Sequence, residues 1–334
     1  MAGQVSVIIP VYNMEETIGK SIDSVLAQTW RGLELIVVDD GSTDRTPTIV
    51  DQAALRDGRV RVIHQANGGV SRARNAGLRA ARGAFVSWLD GDDWMHPEAL
   101  ERLMDAIDRN QADMAYCNYE NVDRAGKAER RYAMGACEVI TGQEALHRMI
   151  CRTLTQSLCF NLAPRSFYRD IHFPEGLLFE DVRNSYKLYA QARRVAAVND
   201  ALLFKRLVRE GSISHAPSID MRVASCQAYL ERQREIEPKW PECEALFVEK
   251  NHAMMLLLLR AAVFRDSREN YRRHAKAIRE ITAYFRRRTH LALGDHAGIG
   301  RRLEYCFLTS GTRLGFYLSR LVSLPAQGGT WLQR

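Results

Sequence analysis

The stretch LELIVVDDGSTD, residues 33–44, decides the fold class, because a continuous apolar run ends abruptly in a cluster of carboxylates. Short runs rich in β-branched residues are typical of strands that are buried on both faces of a sheet. Three other runs have the same character, at residues 5–10, 60–64 and 84–89. The sequence therefore predicts four buried strands in the first part of the chain.

Segments of helical character, at residues 15–27, 46–55 and 70–82, alternate with these strands. The strands begin about every 25–28 residues, which is the spacing expected of repeated β-α-β units. This alternation predicts an α/β fold with a mostly parallel sheet flanked by helices. In such sheets ligands bind beyond the carboxyl ends of the strands, so the residues that follow each strand are the first candidates for a site.

Three polar clusters follow three of the predicted strands, at residues 10–13, 39–44 and 90–93. The last cluster, DGDD, contains three carboxylates, which repel one another unless a cation or hydrogen-bond donors compensate for their charge. Mg²⁺ and Mn²⁺ are usually held by one or two carboxylates together with substrate phosphates. The cluster itself leaves two interpretations open, a metal site or an acidic turn before a capped helix.

The chain has 334 residues, of which 26% are charged and 46% hydrophobic, and this composition excludes wholly disordered, collagen-like and disulfide-stapled miniature proteins. The longest apolar run, AMMLLLL at residues 253–259, is far shorter than the roughly 20 residues needed to cross a bilayer. The apolar N-terminal stretch has no basic leader, so we interpret it as the first strand and not as a signal peptide. We therefore expect a cytoplasmic protein.

Basic residues are concentrated in residues 251–334, where 15 Lys or Arg against 5 Asp or Glu give a net charge of +10. Beyond residue 216 the hydrophobic pattern is that of helices only, so we treat residues 216–334 as a helical extension. We divide the chain before it into residues 1–120 and 121–215. The aromatic and arginine-rich segment at residues 303–324 is compatible with a helix on the inner membrane surface. It is also compatible with a helix that packs its apolar face on the core. No nucleic-acid-binding module is visible, and no such partner is expected.

Three motifs in this order, IIPVYN (residues 8–13), LELIVVDDGSTDRT (33–46) and NGGVSRARNAGLRAARGAFVSWLDGDDW (67–94), resemble those of family 2 glycosyltransferases. The resemblance covers about the first 215 residues and implies the GT-A fold, a Rossmann-like sheet. It also implies inverting transfer of a sugar from a nucleotide-diphosphate donor, most often a UDP-sugar, with Mn²⁺ or Mg²⁺. The acceptor would be a glycan or a lipid-linked molecule in the synthesis of cell-surface polysaccharide.

The resemblance also suggests which residues bind the donor nucleotide. Pro10, Tyr12 and Glu15 match the first-strand motif that holds the nucleotide. Asp40 matches the acid that contacts the base or the ribose. These four residues belong to the polar clusters after the first two strands, or directly follow them, as a site at that sheet edge requires.

Further matches extend the expected site. Asp90 and Asp92 match the Asp-x-Asp motif, with Asp92 as the metal ligand and Asp90 near the ribose. Arg74 lies in the ARNAG segment and is expected on the donor side. Arg209 begins the segment REGSIS, which would fold over the donor phosphates, although a surface turn is an equally good interpretation. The preceding FKRL, residues 204–207, departs from the family's aromatic and arginine run.

The pair Glu180-Asp181 matches the family's acidic pair, which makes Asp181 the expected general base. Inversion by direct displacement needs one base to take the proton of the acceptor hydroxyl. Acids are also common in the first turn of a helix, because they complement its dipole. That position would lower the pKa of Asp181 and burial would raise it, so the sequence leaves the balance open.

Two other functions remain open on the sequence. A sugar nucleotidyltransferase also uses an α/β sheet with metal-bound carboxylates, but it would release pyrophosphate. A glycan-binding or scaffold protein on a degenerate core would have no activity. The absence of an N-terminal glycine-rich phosphate loop with Lys or Arg argues against the nucleotidyltransferase. The pattern at Asp40, Asp92 and Asp181 argues against the scaffold protein.

Overall fold

A computed structural model describes residues 4–123, 128–132, 139–206, 218–265, 268–293, 299–310, 312 and 314–315. The chain forms two compact units, Met1–Ser212 and Ile213–Arg334. The first unit is an α/β domain and the second is helical, and each is described by itself.

The first unit is built on one mixed sheet, whose described strands follow the order β3-β2-β1-β4-β9-β6-β10-β5. Two further strands extend it, because β7 pairs with β6 and β8 pairs with β10. In chain order the strands are β1 (Val5–Val11), β2 (Leu33–Asp39), β3 (Val60–His64), β4 (Phe85–Trp88), β5 (Trp94–Met95), β6 (Met114–Val122), β7 (Ala128–Tyr132), β8 (Val139–Ile140), β9 (Asn161–Pro164) and β10 (Val195–Arg206).

Helices flank this sheet, as the alternating pattern predicts. They are α1 (Ile18–Leu26), α2 (Thr46–Arg56), α3 (Val70–Ala80), α4 (Ala99–Asn110), α5 (Gly142–Ile150) and α6 (Glu180–Gln191). In α1 the buried residues recur at helical spacing, at Ile18, Ser21, Ile22 and Val25. In α3 a Cβ at Gly77 would lie 2.4 Å from the side chain of Ile8, so this glycine lets α3 pack closely on β1.

The first four strands pair in parallel, and two of them have the burial that their sequence predicts. Every residue of β1 and β2 is buried, as expected for strands covered on both faces. The prediction is wrong for β3, in which only Val60 is buried. The reason is its position, because β3 is the edge of the sheet and pairs only with β2 among the described strands.

The remainder of the sheet contains antiparallel pairs that the sequence pattern did not predict. Strand β9 lies between β4 and β6 and is antiparallel to both. Strand β10 is continuous, but its parallel pairing with β6 shifts register between Val198 and Leu203.

The second unit contains five helices among its described residues: α7 (Ile219–Ile236), α8 (Glu242–Arg265), α9 (Arg268–Arg286), α10 (Thr289–Leu293) and α11 (Ile299–Thr309). Phe247 stacks on Phe285 in its core with ring centroids 6.2 Å apart. Tyr305, one of the aromatic residues considered for a membrane-surface helix, is buried and donates to the Phe285 carbonyl at 2.8 Å. Phe316 and Tyr317 lie outside the described residues. Within the described part of the chain, no helix is long and apolar enough to span a membrane.

Candidate active site

The strand order changes direction at the carboxyl ends of β1 and β4, which is where open α/β sheets have their ligand-binding crevice. Pairing of β1 with β4 ends at Ile8 and Trp88, whereas pairing with β2 continues to Val11. The Ile8 carbonyl accepts from the Leu89 backbone N–H on the β4 side. Backbone polar groups of successive residues in a strand point to alternate sides, so the nitrogen of Pro10, two residues later, also faces the β4 side. Proline has no N–H to donate, so it fits a position where the partner strand has ended. Ligands of open α/β sheets bind at such a switch point.

The loops after β1 and β2 form one hydrogen-bonded platform on one side of this crevice. Asn13, which has a positive φ of 50°, accepts from the Thr43 backbone N–H at 2.8 Å. The Glu15 carboxylate accepts from the Arg45 backbone N–H at 2.8 Å. Glu15 therefore joins the two loops, while Tyr12 is 43% exposed and presents a ring on which a flat ligand could stack.

Asp40 holds the glycine loop that precedes α3. Its buried carboxylate accepts from the Gln65 side chain at 2.6 Å and from the backbone N–H groups of Gly68 and Gly69 at 3.1 and 2.7 Å. A Cβ at Gly41, which has a φ of +75°, would lie 2.7 Å from a backbone nitrogen of that loop. An ionised carboxylate has about four acceptor positions, so Asp40 retains room for one donor from a nucleotide.

The acidic loop, which contains Asp90, Asp92 and Asp93, lies between β4 and β5. One oxygen of Asp90 is 3.3 Å from the Arg74 guanidinium and the other is 4.0 Å from Lys205 Nζ. Burial alone would raise the pKa of Asp90, but the charges of Lys205 and Arg74 lower it below its ordinary value. Burial raises the pKa of Asp93 well above its ordinary value.

The acidic loop fits a hard divalent cation through Asp90 and Asp92. Both are carboxylates, the oxygen ligands that Mg²⁺ and Mn²⁺ prefer, and both are partly exposed. Asp93 fits this role poorly, because only 4% of its surface is exposed and its raised pKa favours the neutral acid. Two cationic side chains already contact Asp90, which favours Asp92 as the principal ligand.

Arg74 connects the acidic loop with the acidic pair at the start of α6. The buried guanidinium contacts Asp90 through one terminal nitrogen and Glu180 through the other. Its Nε is buried and has no hydrogen-bond partner. The planar fork of an arginine suits such a bridge, because its two terminal nitrogens point to different carboxylates.

Asn75, the next residue along α3, fixes the segment that leads to α6. Its side chain donates to the Phe173 carbonyl at 2.8 Å and accepts from the Phe173 backbone N–H at 2.9 Å. Both residues are buried, so each bond satisfies a group that would otherwise be costly to bury. Phe179, directly before α6, has a left-handed φ of 62°, a strained conformation that often marks functional sites.

Asp181 has an environment unlike that of Asp90. Burial and the neighbouring Glu180 raise its pKa to about 6, and Arg74 offsets part of that rise. Its carboxylate also accepts from the Val182 backbone N–H at 2.7 Å, as an acid at a helix N-terminus commonly does. Burial therefore outweighs the helix terminus, and this is the balance that the sequence left open.

The structure brings most of the predicted site residues to one edge of the sheet. Pro10, Tyr12, Glu15 and Asp40 follow β1 and β2, whereas Asp90 and Asp92 follow β4. Arg74 joins Asp90 to the acidic pair that includes Asp181. Arg209, with the rest of the REGSIS segment, lies outside the described residues.

Sequence reasoning missed Lys205 and the clamp made by Asn75. Lys205 was noted only as part of an unusual run before REGSIS, and its position opposite the acidic loop depends on the pairing of β10 with β5. Asn75 follows Arg74 in the ARNAG segment, but its partner lies 98 positions further along the chain. Both contacts join residues that are far apart in the chain, and the spacing of apolar residues does not predict such contacts.

Comparisons with known proteins bear on this site. The profile of "Glycosyl transferase family 2" matches residues 6–170. "Glycosyltransferase GlyG" of Streptococcus pneumoniae serotype 4 is 32% identical over 223 residues, which are 64% of this chain and 73% of that protein. The chain belongs to glycosyltransferase family 2. "Succinoglycan biosynthesis protein ExoO" of Rhizobium meliloti is 33% identical over 248 residues, 68% of each chain.

Solved structures show the fold of this family 2 glycosyltransferase. S. aureus TarS 1-349 in complex with UDP-GlcNAc superposes with a TM-score of 0.69 and 22% identity, over 95% of this chain and 90% of that one. Mannosyltransferase PcManGT from Pyrobaculum calidifontis, in complex with GDP-Man and Mn²⁺, has a TM-score of 0.52 at 17% identity, over 98% and 89% of the chains. The likeness extends to the GT-A sheet, its flanking helices and the helical C-terminal region.

Proposed function

We propose that this enzyme is an inverting, metal-dependent glycosyltransferase that moves a sugar from a UDP-sugar to a glycan or lipid-linked acceptor in cell-surface polysaccharide synthesis. The proposal rests on two acids near Arg74 that differ in pKa: the pKa of Asp90 is lowered and that of Asp181 is raised. The first suits binding of cations and the second suits proton removal near neutral pH. A relative involved in succinoglycan biosynthesis and a fold neighbour that binds UDP-GlcNAc support the acceptor and donor classes.

The proposed reaction is a single displacement. Asp181 takes the proton of the acceptor hydroxyl, whose oxygen then attacks the anomeric carbon from the face opposite the nucleotide. The new glycosidic bond forms as the bond between the anomeric carbon and the diphosphate oxygen breaks, so the configuration inverts. When bound at Asp92 and Asp90, Mn²⁺ or Mg²⁺ would neutralise the charge of the departing diphosphate.

Donor binding in this proposal uses the platform on the β1 side of the crevice. Tyr12 stacks on the base, and Asp40 accepts from the base or the ribose in its remaining acceptor position. Glu15 keeps the two loops together through its bond to the Arg45 backbone. The expected contact of Arg209 with the donor phosphates stays a prediction, because Arg209 lies outside the described residues.

The test is a calorimetric titration with UDP, GDP, CDP and dTDP, each with and without Mn²⁺. We expect UDP to bind only in the presence of metal, and Asp92→Asn to abolish this binding and the turnover of donor. Asp105→Asn is the matched control, because Asp105 forms an ion pair with Arg109 on the surface of α4. Near-normal turnover by Asp92→Asn, or release of pyrophosphate from a sugar phosphate and a nucleoside triphosphate, would contradict the proposal.

A further inference from the structure

Lys205 faces the acidic loop from the end of β10. Strand β10 is antiparallel to β5, which directly follows that loop, and Phe204 is the register partner of Trp94. The same register places Lys205 opposite Asp93, and the next residue, Arg206, donates its backbone N–H to the Asp93 carboxylate at 2.9 Å. Two backbone constraints therefore fix the position from which Lys205 reaches the loop.

The contact between Lys205 and the acidic loop is partly exposed to solvent. Lys205 Nζ is 4.0 Å from Asp90 Oδ2, and the side chains are 41% and 29% exposed, respectively. A lysine has a flexible stem with a compact charge at its end, so its ammonium group can move by several ångströms without any change in the backbone. This pair is therefore accessible to ligands and can be rearranged.

Charge balance indicates what such a rearrangement would do. Arg74 is shared between Asp90 and Glu180, whereas the charge of Lys205 acts on the acidic loop itself. Lys205 therefore cancels part of the negative charge that a divalent cation would meet at Asp90 and Asp92. A cation bound there leaves an excess positive charge, which the diphosphate of a nucleotide can neutralise.

We propose that Lys205 couples the metal to the donor: it opposes the cation in the empty cleft and pairs with the diphosphate in the metal–nucleotide complex. This inference deepens the proposed function and rests on it for the identity of the anion. Lys205 thus favours joint binding of metal and nucleotide over binding of either alone. Through Lys205, the unusual FKRL run supplies a positively charged side chain that binds the donor.

The experiment measures two affinities in Lys205→Met, Lys205→Gln and Lys205→Arg. Binding of Mn²⁺ alone is followed by the electron paramagnetic resonance of the free ion, and binding of UDP at saturating Mn²⁺ is followed by calorimetry. Lys187→Met is the matched control, because Lys187 lies on α6 of the same unit and takes no part in the proposed site. Circular dichroism checks that each variant is folded.

We expect the two affinities to move in opposite directions. Without the lysine charge, Mn²⁺ alone should bind about threefold to tenfold more tightly, because the repulsion is removed. UDP should bind at least about tenfold more weakly, since a charge-assisted hydrogen bond is lost. Lys205→Arg should retain most of the UDP affinity, and Lys187→Met should change neither value.

Several results would overturn the inference. Unchanged affinities in Lys205→Gln would show that the lysine touches neither ligand, and parallel losses of both would indicate structural damage alone. If Lys205→Met does not fold, the exposed position still allows the decision to rest on Lys205→Gln and Lys205→Arg. Failure of wild-type protein to bind any nucleotide would contradict the proposed function, while the effect on Mn²⁺ alone would still test the opposition by Lys205.

Discussion

Asp90 and Asp181 both feel the charge of Arg74, yet their environments move their pKa values in opposite directions. Burial favours the neutral acid at both residues and by itself would raise both pKa values. At Asp90 the charges of Lys205 and Arg74 outweigh burial and lower the pKa. At Asp181 the neighbour is Glu180, a like charge, and the pKa rises to about 6. The direction of each pKa shift is therefore decided by Lys205 at Asp90 and by Glu180 at Asp181, and not by the shared Arg74.

This difference divides the chemistry between the two sides of the cleft. An acid that stays ionised can hold a cation at any physiological pH, whereas an acid that titrates near neutrality can accept a proton and later release it. On the donor side the exposed acids keep their charge: cations compensate Asp90, and Asp44 also has a lowered pKa, since hydrogen bonds around Thr46 overcome its burial. The buried Asp93, with its raised pKa, takes no part in holding a cation. The predictions below test this division.

The largest effect is expected for Asp181→Asn. Removal of a general base should lower kcat by about 10²–10⁴, while the Kd for UDP with Mn²⁺ changes by less than about twofold. In the wild type, the base is active only when ionised, so kcat/KM should fall about tenfold per pH unit below pH 6. A profile that stays flat down to pH 5, or loss of UDP binding in the variant, would remove Asp181 from the role of base.

The same variant should be more stable than the wild type at pH 8. A raised pKa means that the folded state binds the proton more tightly than the unfolded state does, so stability is lost as the pH rises from about 4 through 6. Asparagine carries no charge beside Glu180, and we expect Tm to increase by roughly 2–4 °C at pH 8 and less at pH 5. Asp105→Asn, on an exposed helix surface, serves again as the control.

Arg74→Lys tests whether one residue joins the two sides. A lysine cannot contact both Asp90 and Glu180 as the guanidinium does, so one of them would lose its partner. We expect kcat to fall by about 10². Because lysine keeps the positive charge that lowers the pKa of Asp181, the acidic limb of the profile should stay near pH 6. An unchanged kcat would show that neither acid needs the bridge.

The sequence predicts the donor side better than the acceptor side for a physical reason. Strands β1, β2 and β4 with their helices form from consecutive segments, so periodicity and the acids after each strand indicate both the fold and Asp40 and Asp90. The second half of the sheet depends instead on long-range pairing, because β9 inserts between β4 and β6. Lys205 likewise reaches the acidic loop through pairing with a strand more than 100 positions earlier. The pKa of Asp181 depends on burial and on Arg74, which lies more than 100 positions earlier in the chain.

Asp40→Asn should affect the donor side alone. An asparagine offers one oxygen and a donor group where three N–H groups now converge, so the loop before α3 would lose its anchor. We expect the Kd for UDP to rise about tenfold, in the range of a lost charge-assisted hydrogen bond. The acidic limb of the rate profile should keep its position near pH 6. A shift of that limb would show that the two sides are not independent.

The smallest effect is expected at His64, an imidazole held between two carboxylates. Its imidazole lies 2.9 Å from Asp39 and 3.0 Å from Asp51, and hydrogen bonds to these acids raise its pKa above 6.5. A raised histidine pKa gives stability that is fully present below pH 6.5 and is lost as the pH rises through the folded value. Because the side chain is 45% exposed, His64→Gln should lower Tm by only about 1–2 °C at pH 6 and by less at pH 9.

His64→Gln also decides which group the rate profile reports. Asp181 and His64 both have a raised pKa, so a titration in the wild type alone does not assign the acidic limb to either residue. If Asp181 is the base, the limb stays at its place in His64→Gln and disappears in Asp181→Asn. If the acidic limb shifts in His64→Gln, the rate profile reports His64 and not Asp181, and the role of Asp181 as general base is wrong.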